Sequence, residues 1–264
     1  MTIPAYFILG SPTSGRRGTV LAALKNGCEE DEFCGVFVSA AEDRAVEDDQ
    51  IYALKNVELF RYRDPEDSAK KIAELDTEKY SKIFYVSDST RNLADEIDDF
   101  KSIADAGGIR LARIWSVIDC SMLWRFPHEC RDYADALSHF ADCLLLSRRA
   151  GVPNKAVAEI AERYEKMCRP HLTVLLDKNF AAPNFVELMV DETRRISMYF
   201  DEYDPEDELN LDEENLPEEP FDLERKLDPY LEKTKNGLRL SPIKEVAEFA
   251  LKARIAEEKE NEKV

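Results

Sequence analysis

The residues best suited to chemistry lie near the start of this 264-residue chain, where three of its nine glycines fall within nine positions: Gly10, Gly15 and Gly18. The segment YFILGSPTSGRRGTVLAAL predicts an apolar strand, a glycine-rich turn and a helix. In that setting, backbone amides at a helix N-terminus cradle a phosphate. The full motif, GxxxxGK[ST], adds a lysine that reaches the phosphates and a hydroxyl that holds Mg²⁺. Arg16 and Arg17 occupy those two positions here, so the turn predicts anion binding without the magnesium hydroxyl.

An arginine keeps the positive charge and can fork onto phosphate oxygens, but it is bulkier than lysine. The nearest other hydroxyls are those of Thr13 and Thr19. The residues predicted to bind a nucleotide or phosphate are Gly10, Ser11, Ser14, Gly15, Arg16, Arg17, Gly18 and Thr19. The other interpretation of the segment is a plain strand-to-helix turn with solvated arginines.

The rest of the chain up to about residue 200 alternates short β-rich runs with stretches of helical period, which is typical of βαβ units and a parallel sheet. The predicted strands are 5–9, 35–39, 57–61, 82–86, 112–118, 143–146 and 172–176. The predicted helices are 17–24, 66–75, 93–106, 129–140, 155–167 and 185–198, followed by 242–260 near the end of the sequence. Ligands of such sheets bind at the carboxyl ends of the strands, so function is expected in the loops that follow them.

Two later segments lie after predicted strands. The first, KIFYVSDSTRNLADEI, resembles the ETSGLADP loop of the CobW-like metal-chaperone GTPases, which are related to the HypB and UreG proteins. The residues that match are Thr90, Leu93, Ala94 and Asp95, while Ser89 and Asn92 depart from the pattern. The resemblance implies metal or switch roles for Asp88 and Thr90.

The second segment, RLARIWSVIDC followed by HFADCLLLSRRAGVP, is similar to that family's aspartate-ending strand and guanine-reading element. Asp119, a further implied metal or switch position, matches, as do Ala141 and Asp142. The base-reading loop is degenerate, because its Asn, Lys and Asp positions hold Ser147, Arg148 and Ala150. Loss of the guanine-accepting aspartate removes the evident means of selecting guanine. The family's CxCC metal motif is also missing, since FRYRDPEDSAKK follows VEL directly.

Over residues 3 to 180 the resemblance implies an α/β fold: a three-layer, P-loop NTPase-like, mainly parallel sheet with helices on both faces and an acidic, helical C-terminal extension. It implies a degenerate GTPase homologue that binds GTP, another nucleotide or phosphate with little or no hydrolysis, in a regulatory role. The alternatives are a pseudo-GTPase scaffold for protein interaction and a sulfotransferase-like enzyme, the latter suggested by GSPTSG with the later RDP. The predicted domains are 1–200, a linker or loop at 201–224 and the extension 225–264.

The composition and charge of the chain limit the classes of partner that it is expected to bind. Hydrophobic residues make up 44% of the chain, which excludes global disorder, and the net charge is −19. Thirteen acidic residues and no basic one lie between Asp201 and Glu224. That segment predicts an exposed run of charge that either keeps the protein soluble or docks on a basic protein partner, whereas binding to nucleic acid and anionic membranes is disfavoured. With no membrane-length apolar run and no leader pattern at the N-terminus, the expected location is the cytoplasm.

The remaining candidate residues carry weaker chemistry. Cys120, His128 and Cys130 form a C-x7-H-x-C cluster that lacks a fourth zinc ligand, so no metal site is predicted there. The six cysteines are scattered and are expected to be free thiols. No serine or cysteine is paired by sequence pattern with His139 or His171, and no catalytic residue is assigned.

Overall fold

The computed structural model describes residues 2–201 and 227–261. Apart from Asp201, the acidic segment predicted to dock a partner lies outside these residues. The chain forms two compact units: Met1–Ile196 with Ile243–Val264, and Ser197–Pro242.

The larger unit is built on a parallel sheet whose strands, within the described residues, are ordered β3-β2-β4-β1-β5-β6-β7. Their bounds are β1 Ile3–Gly10, β2 Cys34–Ser39, β3 Val57–Tyr62, β4 Lys82–Val86, β5 Ile109–Asp119, β6 Cys143–Ser147 and β7 Leu172–Leu175. All seven predicted strands are confirmed. The order places β1, which leads into the glycine turn, at the centre between β4 and β5.

Helices cover both faces of this sheet. They are α1 Arg16–Asn26, α2 Val46–Tyr52, α3 Pro65–Ala73, α4 Leu93–Asp105, α5 Cys120–Arg125, α6 Pro127–Phe140, α7 Asn154–Lys166, α8 Phe185–Leu188 and α9 Ala247–Asn261. On one face Phe7 of β1 stacks on Phe100 of α4, with ring centroids 4.1 Å apart. On the other, Tyr6 stacks on Phe84 of β4 at 5.3 Å, in a core shared with α1 and α8. Both faces of β1 are therefore buried, which fixes the position of the turn that follows it.

The predicted helix 185–198 is wrong beyond its first turn, since α8 ends at Leu188. The helix ends early because of a buried arginine on β5. Arg113 donates hydrogen bonds to the carbonyl oxygens of Glu187 and Glu192, at 2.9 and 3.0 Å. Those tertiary contacts bind backbone groups that a longer helix would have used.

The other differences are smaller. Helices α2 and α5 were not predicted, and the last helix begins at Ala247 rather than at 242. Ile243 and Val246, just before this helix, and Ala250 within it are buried, but Ile255 is 42% exposed. The helix packs against α5.

The smaller unit is described at residues 197–201 and 227–242. Lys233 and Arg239 form an isolated antiparallel bridge, and Arg239 donates a hydrogen bond to the carbonyl oxygen of Leu231 at 2.7 Å. The hydroxyl of Ser197 donates to Asp228 at 2.6 Å. In neither described range is any helix long and apolar enough to cross a membrane.

Candidate functional site

The glycine turn joins β1 to α1 as the sequence predicts. Gly15 is the residue before the helix and has a left-handed backbone, with φ of 87°. A side chain on Gly10 would lie 2.7 Å from the carbonyl oxygen of Val117, so the chain passes β5 too closely for any other residue. Ser14 closes the turn by donating to the carbonyl oxygen of Ser11, through its amide at 3.1 Å and its hydroxyl at 2.9 Å. The turn is therefore tight, and its backbone is held by Ser14 and by the close approach of Gly10 to β5.

Arg16, at the motif's lysine position, is buried, with 3% of its surface exposed. Its Nη1 donates to the carbonyl oxygen of Ser87 at the end of β4, and its Nη2 donates to Oε1 of Glu42 at 2.7 Å. Burial alone would lower the pKa of Arg16, but the carboxylate of Glu42 reverses this and raises it. The guanidinium is therefore permanently charged and held by a protein carboxylate.

Arg17, at the position of the motif's magnesium hydroxyl, is also buried. Its Nη1 donates to the Asp43 carbonyl oxygen at 2.7 Å and to Oδ2 of Asp48 at 3.1 Å, while its Nη2 donates to Oε2 of Glu42 at 3.0 Å. Asp48 also binds Arg61 at 2.9 Å. A guanidinium thus lies among the acidic and carbonyl oxygens on this side of the turn.

Glu42, which the sequence did not single out, collects these contacts. It lies in the loop after β2 and also accepts hydrogen bonds from the amide and hydroxyl of Ser89, at 2.7 and 2.8 Å. Burial acts to raise the pKa of Glu42, but Arg16, the Ser89 amide and Arg17 outweigh it and hold the pKa below its usual value. The carboxylate is consequently ionised, and it joins the glycine turn to the loops after β2 and β4.

Asp88, implied to be a metal or switch position, follows β4. Its Oδ2 accepts from the Ser39 hydroxyl at 2.6 Å, and its Oδ1 accepts from the amide and hydroxyl of Thr90, at 2.8 and 2.6 Å. Its amide donates to Oε2 of Glu96 at 2.7 Å. Burial raises the pKa of Glu96 to about 7, although that amide and Arg91 act in the opposite direction. Both carboxylate oxygens of Asp88 thus have protein partners.

Asp119, the other implied metal or switch position, ends β5 and caps α5. It accepts from the amide of Met122 at 2.9 Å and from the hydroxyl of Thr13 at 2.8 Å. Burial raises the pKa of Asp119 against the effect of these two donors and of Arg148, whose Nε lies 3.6 Å away. The aspartate therefore anchors the glycine turn to β5.

The predicted base-reading loop follows β6 and contacts the same turn. Ser147 donates to the carbonyl oxygens of Ser14 and Ile118, at 2.7 and 2.8 Å. Arg148 has a left-handed backbone, with φ of 48°, and forms an ion pair with Glu257 of α9. Ala150 is exposed. That this loop contacts a nucleotide base stays a prediction. Its hydrogen bond from Ser147 to Ser14 stabilises the glycine turn.

Phe180, also missed by the sequence analysis, lies over the start of α1. Side chains placed on Gly15 and Gly18 would come within 2.1 and 2.3 Å of its ring. The ring belongs to the loop after β7, where Asp177 accepts hydrogen bonds from the amides of Asn179 and Ala181, at 2.7 and 2.8 Å. An alanine at Gly18 would therefore have to displace the aromatic ring.

A cavity of about 870 Å³ opens over the turn. Its walls come from the turn itself, from the loop after β2, from Thr90 and Phe180, and from Leu251 and Arg254 of α9. Cavities of this size accept drug-sized or nucleotide-sized ligands. The cavity is lined by four of the predicted phosphate-binding residues together with Thr90 and Arg148, and these four are Gly15, Arg16, Arg17 and Gly18. The other four, Gly10, Ser11, Ser14 and Thr19, do not line it.

The other candidates from the sequence contribute no site. Within 2–201 and 227–261, no group of three or more His, Cys, Asp or Glu side chains could hold a metal ion. All six cysteines are free thiols, as expected. The hydroxyl of Ser138 does lie 2.9 Å from Nε2 of His171, a pair without a sequence signature, but Ser138 is fully buried and has no access to a substrate.

Comparison with protein-family models finds no match, and comparison with curated proteins finds none either. Solved structures do resemble the chain. The Zn(II)-bound YjiA GTPase from E. coli matches with 13% identity and a TM-score of 0.45, over 67% of this chain and 57% of its own. The chain thus spans a little under three fifths of that protein.

Two further matches are FtsY proteins. The cell division protein FtsY from Thermotoga maritima has 13% identity and a TM-score of 0.49, over 72% of this chain and 69% of its own. The chloroplast FtsY of Physcomitrella patens has 12% identity and a TM-score of 0.50, over 72% and 66%. The parallel sheet with β1 at its centre and the likeness to the Physcomitrella protein show a P-loop NTPase-like α/β fold. The finer resemblance to CobW-like proteins stays a prediction at this level of identity.

Proposed function

We propose that this chain is a P-loop protein that binds a nucleotide or phosphate in the cytosol, with little or no hydrolysis, in a regulatory role. The observation that carries the proposal is the 870 Å³ cavity over the glycine turn, with Arg16 and Arg17 beside it. A glycine turn at the start of an eleven-residue helix favours anions through its amides and the helix dipole.

We expect weak or absent hydrolysis because the positions that would hold Mg²⁺ are altered or already have protein partners. Phosphoryl transfer in P-loop enzymes depends on Mg²⁺ held by a loop hydroxyl and a nearby aspartate. Arg17 replaces that hydroxyl, and both oxygens of Asp88 already accept from Ser39 and Thr90. These residues therefore do not fit a magnesium site.

The test is a calorimetric titration of the protein with GTP, ATP and their diphosphates, each with and without Mg²⁺, beside an assay of phosphate release. We expect binding that Mg²⁺ does not strengthen, no preference for guanine, and no turnover. Arg16→Ala should weaken binding about tenfold, the roughly 1.4 kcal/mol of one charged contact. Arg44→Ala is the matched control, because Arg44 lines the same cavity but is exposed and pairs with Asp49.

Magnesium-dependent hydrolysis would contradict the proposal, as would equal affinity in the wild type and in folded Arg16→Ala. No heat at millimolar ligand would favour a second candidate, a pseudo-GTPase scaffold for protein interaction. The observation in its favour is that Glu42 and Asp48 neutralise the two arginines of the turn. In that case deleting residues 201–224 should abolish capture of a basic partner in a pull-down while leaving the melting temperature nearly unchanged.

A further inference from the structure

The carboxylate of Glu42 is surrounded by donors. Oε1 accepts from Nη2 of Arg16 at 2.7 Å and from the amide and hydroxyl of Ser89 at 2.7 and 2.8 Å. Oε2 accepts from Nη2 of Arg17 at 3.0 Å. Only 12% of the Glu42 side chain is exposed. One anion thus engages two guanidinium groups, a backbone amide and a hydroxyl.

This donor set is the one that proteins use for phosphate. Arginine forks, backbone amides and serine hydroxyls all bind phosphate oxygens, and charge-assisted bonds from arginine are the strongest of them. Carboxylate and phosphate oxygens compete for such donors because both are anionic acceptors. Two of the donors come from the motif positions at the start of α1, where a phosphate would be held.

We infer that Glu42 is the resident anion of the phosphate site, and that a phosphate or the terminal phosphate of a nucleotide binds only by displacing it. Glu42 therefore sets the affinity of the site. This inference rests on the proposed function, and it adds that the site is closed by the protein's own side chain until an external anion takes its place.

The size of the effect follows from the population of the open state. When the competent state is a fraction of the molecules, apparent affinity falls by that fraction. Two guanidinium contacts on one desolvated carboxylate favour the closed state strongly, and a closed population of roughly 90 to 99% corresponds to a ten- to hundredfold loss. Removing the carboxylate should therefore raise the apparent affinity for phosphate by the same factor.

The contacts of Glu42 also connect the loop after β4 to the glycine turn. Glu42 holds Ser89 of the loop after β4 and the arginines of the turn at the same time. In GTPases the γ-phosphate orders equivalent loops, which are released when it leaves. Here the carboxylate of Glu42 makes such links itself, so an incoming phosphate has to replace each of them.

The experiment compares the wild type with Glu42→Gln and Glu42→Ala, titrated with inorganic phosphate, pyrophosphate, GTP and ATP at constant ionic strength. Glu42→Gln keeps the size and one acceptor oxygen but removes the charge. Glu47→Gln is the matched control, since Glu47 lines the same cavity while the ion pairs of Arg16 and Arg17 go to Glu42 and Asp48. We expect both Glu42 variants to bind phosphate at least tenfold more tightly than the wild type and the control.

The melting temperature is the second readout, because the Glu42 variants are expected to lose stability. Glu42→Ala leaves the buried guanidinium of Arg16 without a carboxylate and that of Arg17 with Asp48 alone, so the melting temperature of this variant should fall and should be restored by millimolar phosphate or acetate but not by chloride. The wild type should show no such rescue. Acetate distinguishes the displaced carboxylate from a phosphate-specific effect, because it supplies the same group.

The outcomes separate the two proposals. If the wild type binds nucleotide and the Glu42 variants bind no more tightly, the inference is overturned and the proposed function stands. If neither the wild type nor any folded Glu42 variant binds phosphate or nucleotide, both are overturned. Tight binding by the variants with weak binding by the wild type supports both.

Discussion

The contact between Phe180 and the first turns of α1 makes the effect of one substitution depend on another. An alanine at Gly18 would place its Cβ 2.3 Å from a ring carbon of Phe180, closer than atoms can approach. Displacing the ring costs about 1–3 kcal/mol, the usual range for overpacking. Alanine in place of glycine inside a helix gains about 1 kcal/mol. In the wild type, therefore, Gly18→Ala should destabilise the protein by roughly 0–2 kcal/mol.

In a Phe180→Ala background the collision is gone, so the same Gly18→Ala change should stabilise the protein by about 1 kcal/mol. The difference between the two backgrounds, about 1–3 kcal/mol, is the coupling between the helix and the ring. Urea unfolding of the four proteins measures it. Phe126→Ala provides a remote control background, since Phe126 packs on Phe249 instead. A Gly18→Ala effect that agrees within about 0.5 kcal/mol in all three backgrounds would refute the placement of the ring.

Two further predictions concern buried carboxylates beside the site. Asp48→Asn should destabilise the protein by about 3–5 kcal/mol, because it removes the buried charge paired with Arg17 and Arg61, whereas the exposed Asp49→Asn should change unfolding by less than about 0.5 kcal/mol. Equal effects of the two changes in urea unfolding would contradict the buried ion pairs. Burial raises the pKa of Glu96 from 4.5 to about 7, so the folded state favours the protonated form. The free energy of unfolding of the wild type should therefore fall by about 3 kcal/mol as pH rises from about 4.5 through 7. Glu96→Gln should lack this dependence on pH. Parallel stability profiles of the two proteins across that window would contradict the raised pKa of Glu96.

The strands were predictable because each is a short, apolar, β-rich run between breakers, and a buried parallel sheet needs little else. The turn was predictable for a related reason, since Gly10 and Gly15 have backbone requirements that only glycine meets. Helix α8 was overestimated because its continuation is decided by Arg113, a residue more than seventy positions earlier whose contacts no local pattern reveals.

The same limit explains the missed site residues. Glu42 lies in AAEDRAVEDD, where several acidic residues are equivalent by sequence, and only the fold selects the one that meets Arg16 and Arg17. Phe180 follows a turn built by Asp177 and has no spacing relative to Gly18 that could be recognised. Residue types with fixed backbone needs are therefore visible in the sequence, whereas partners brought together by the fold are not.

Helix α9 gives one wall of the cleft, although it follows β7 in sequence by more than seventy residues and is separated from the rest of its unit by Ser197–Pro242. During synthesis, the sheet and the glycine turn leave the ribosome well before that wall exists. A nascent chain therefore lacks this wall, and the cleft acquires its final shape only when the late helix docks on α5. Anything that delays this docking, such as a lengthened connection before Ala247, would extend the interval in which the cleft lacks the wall formed by α9.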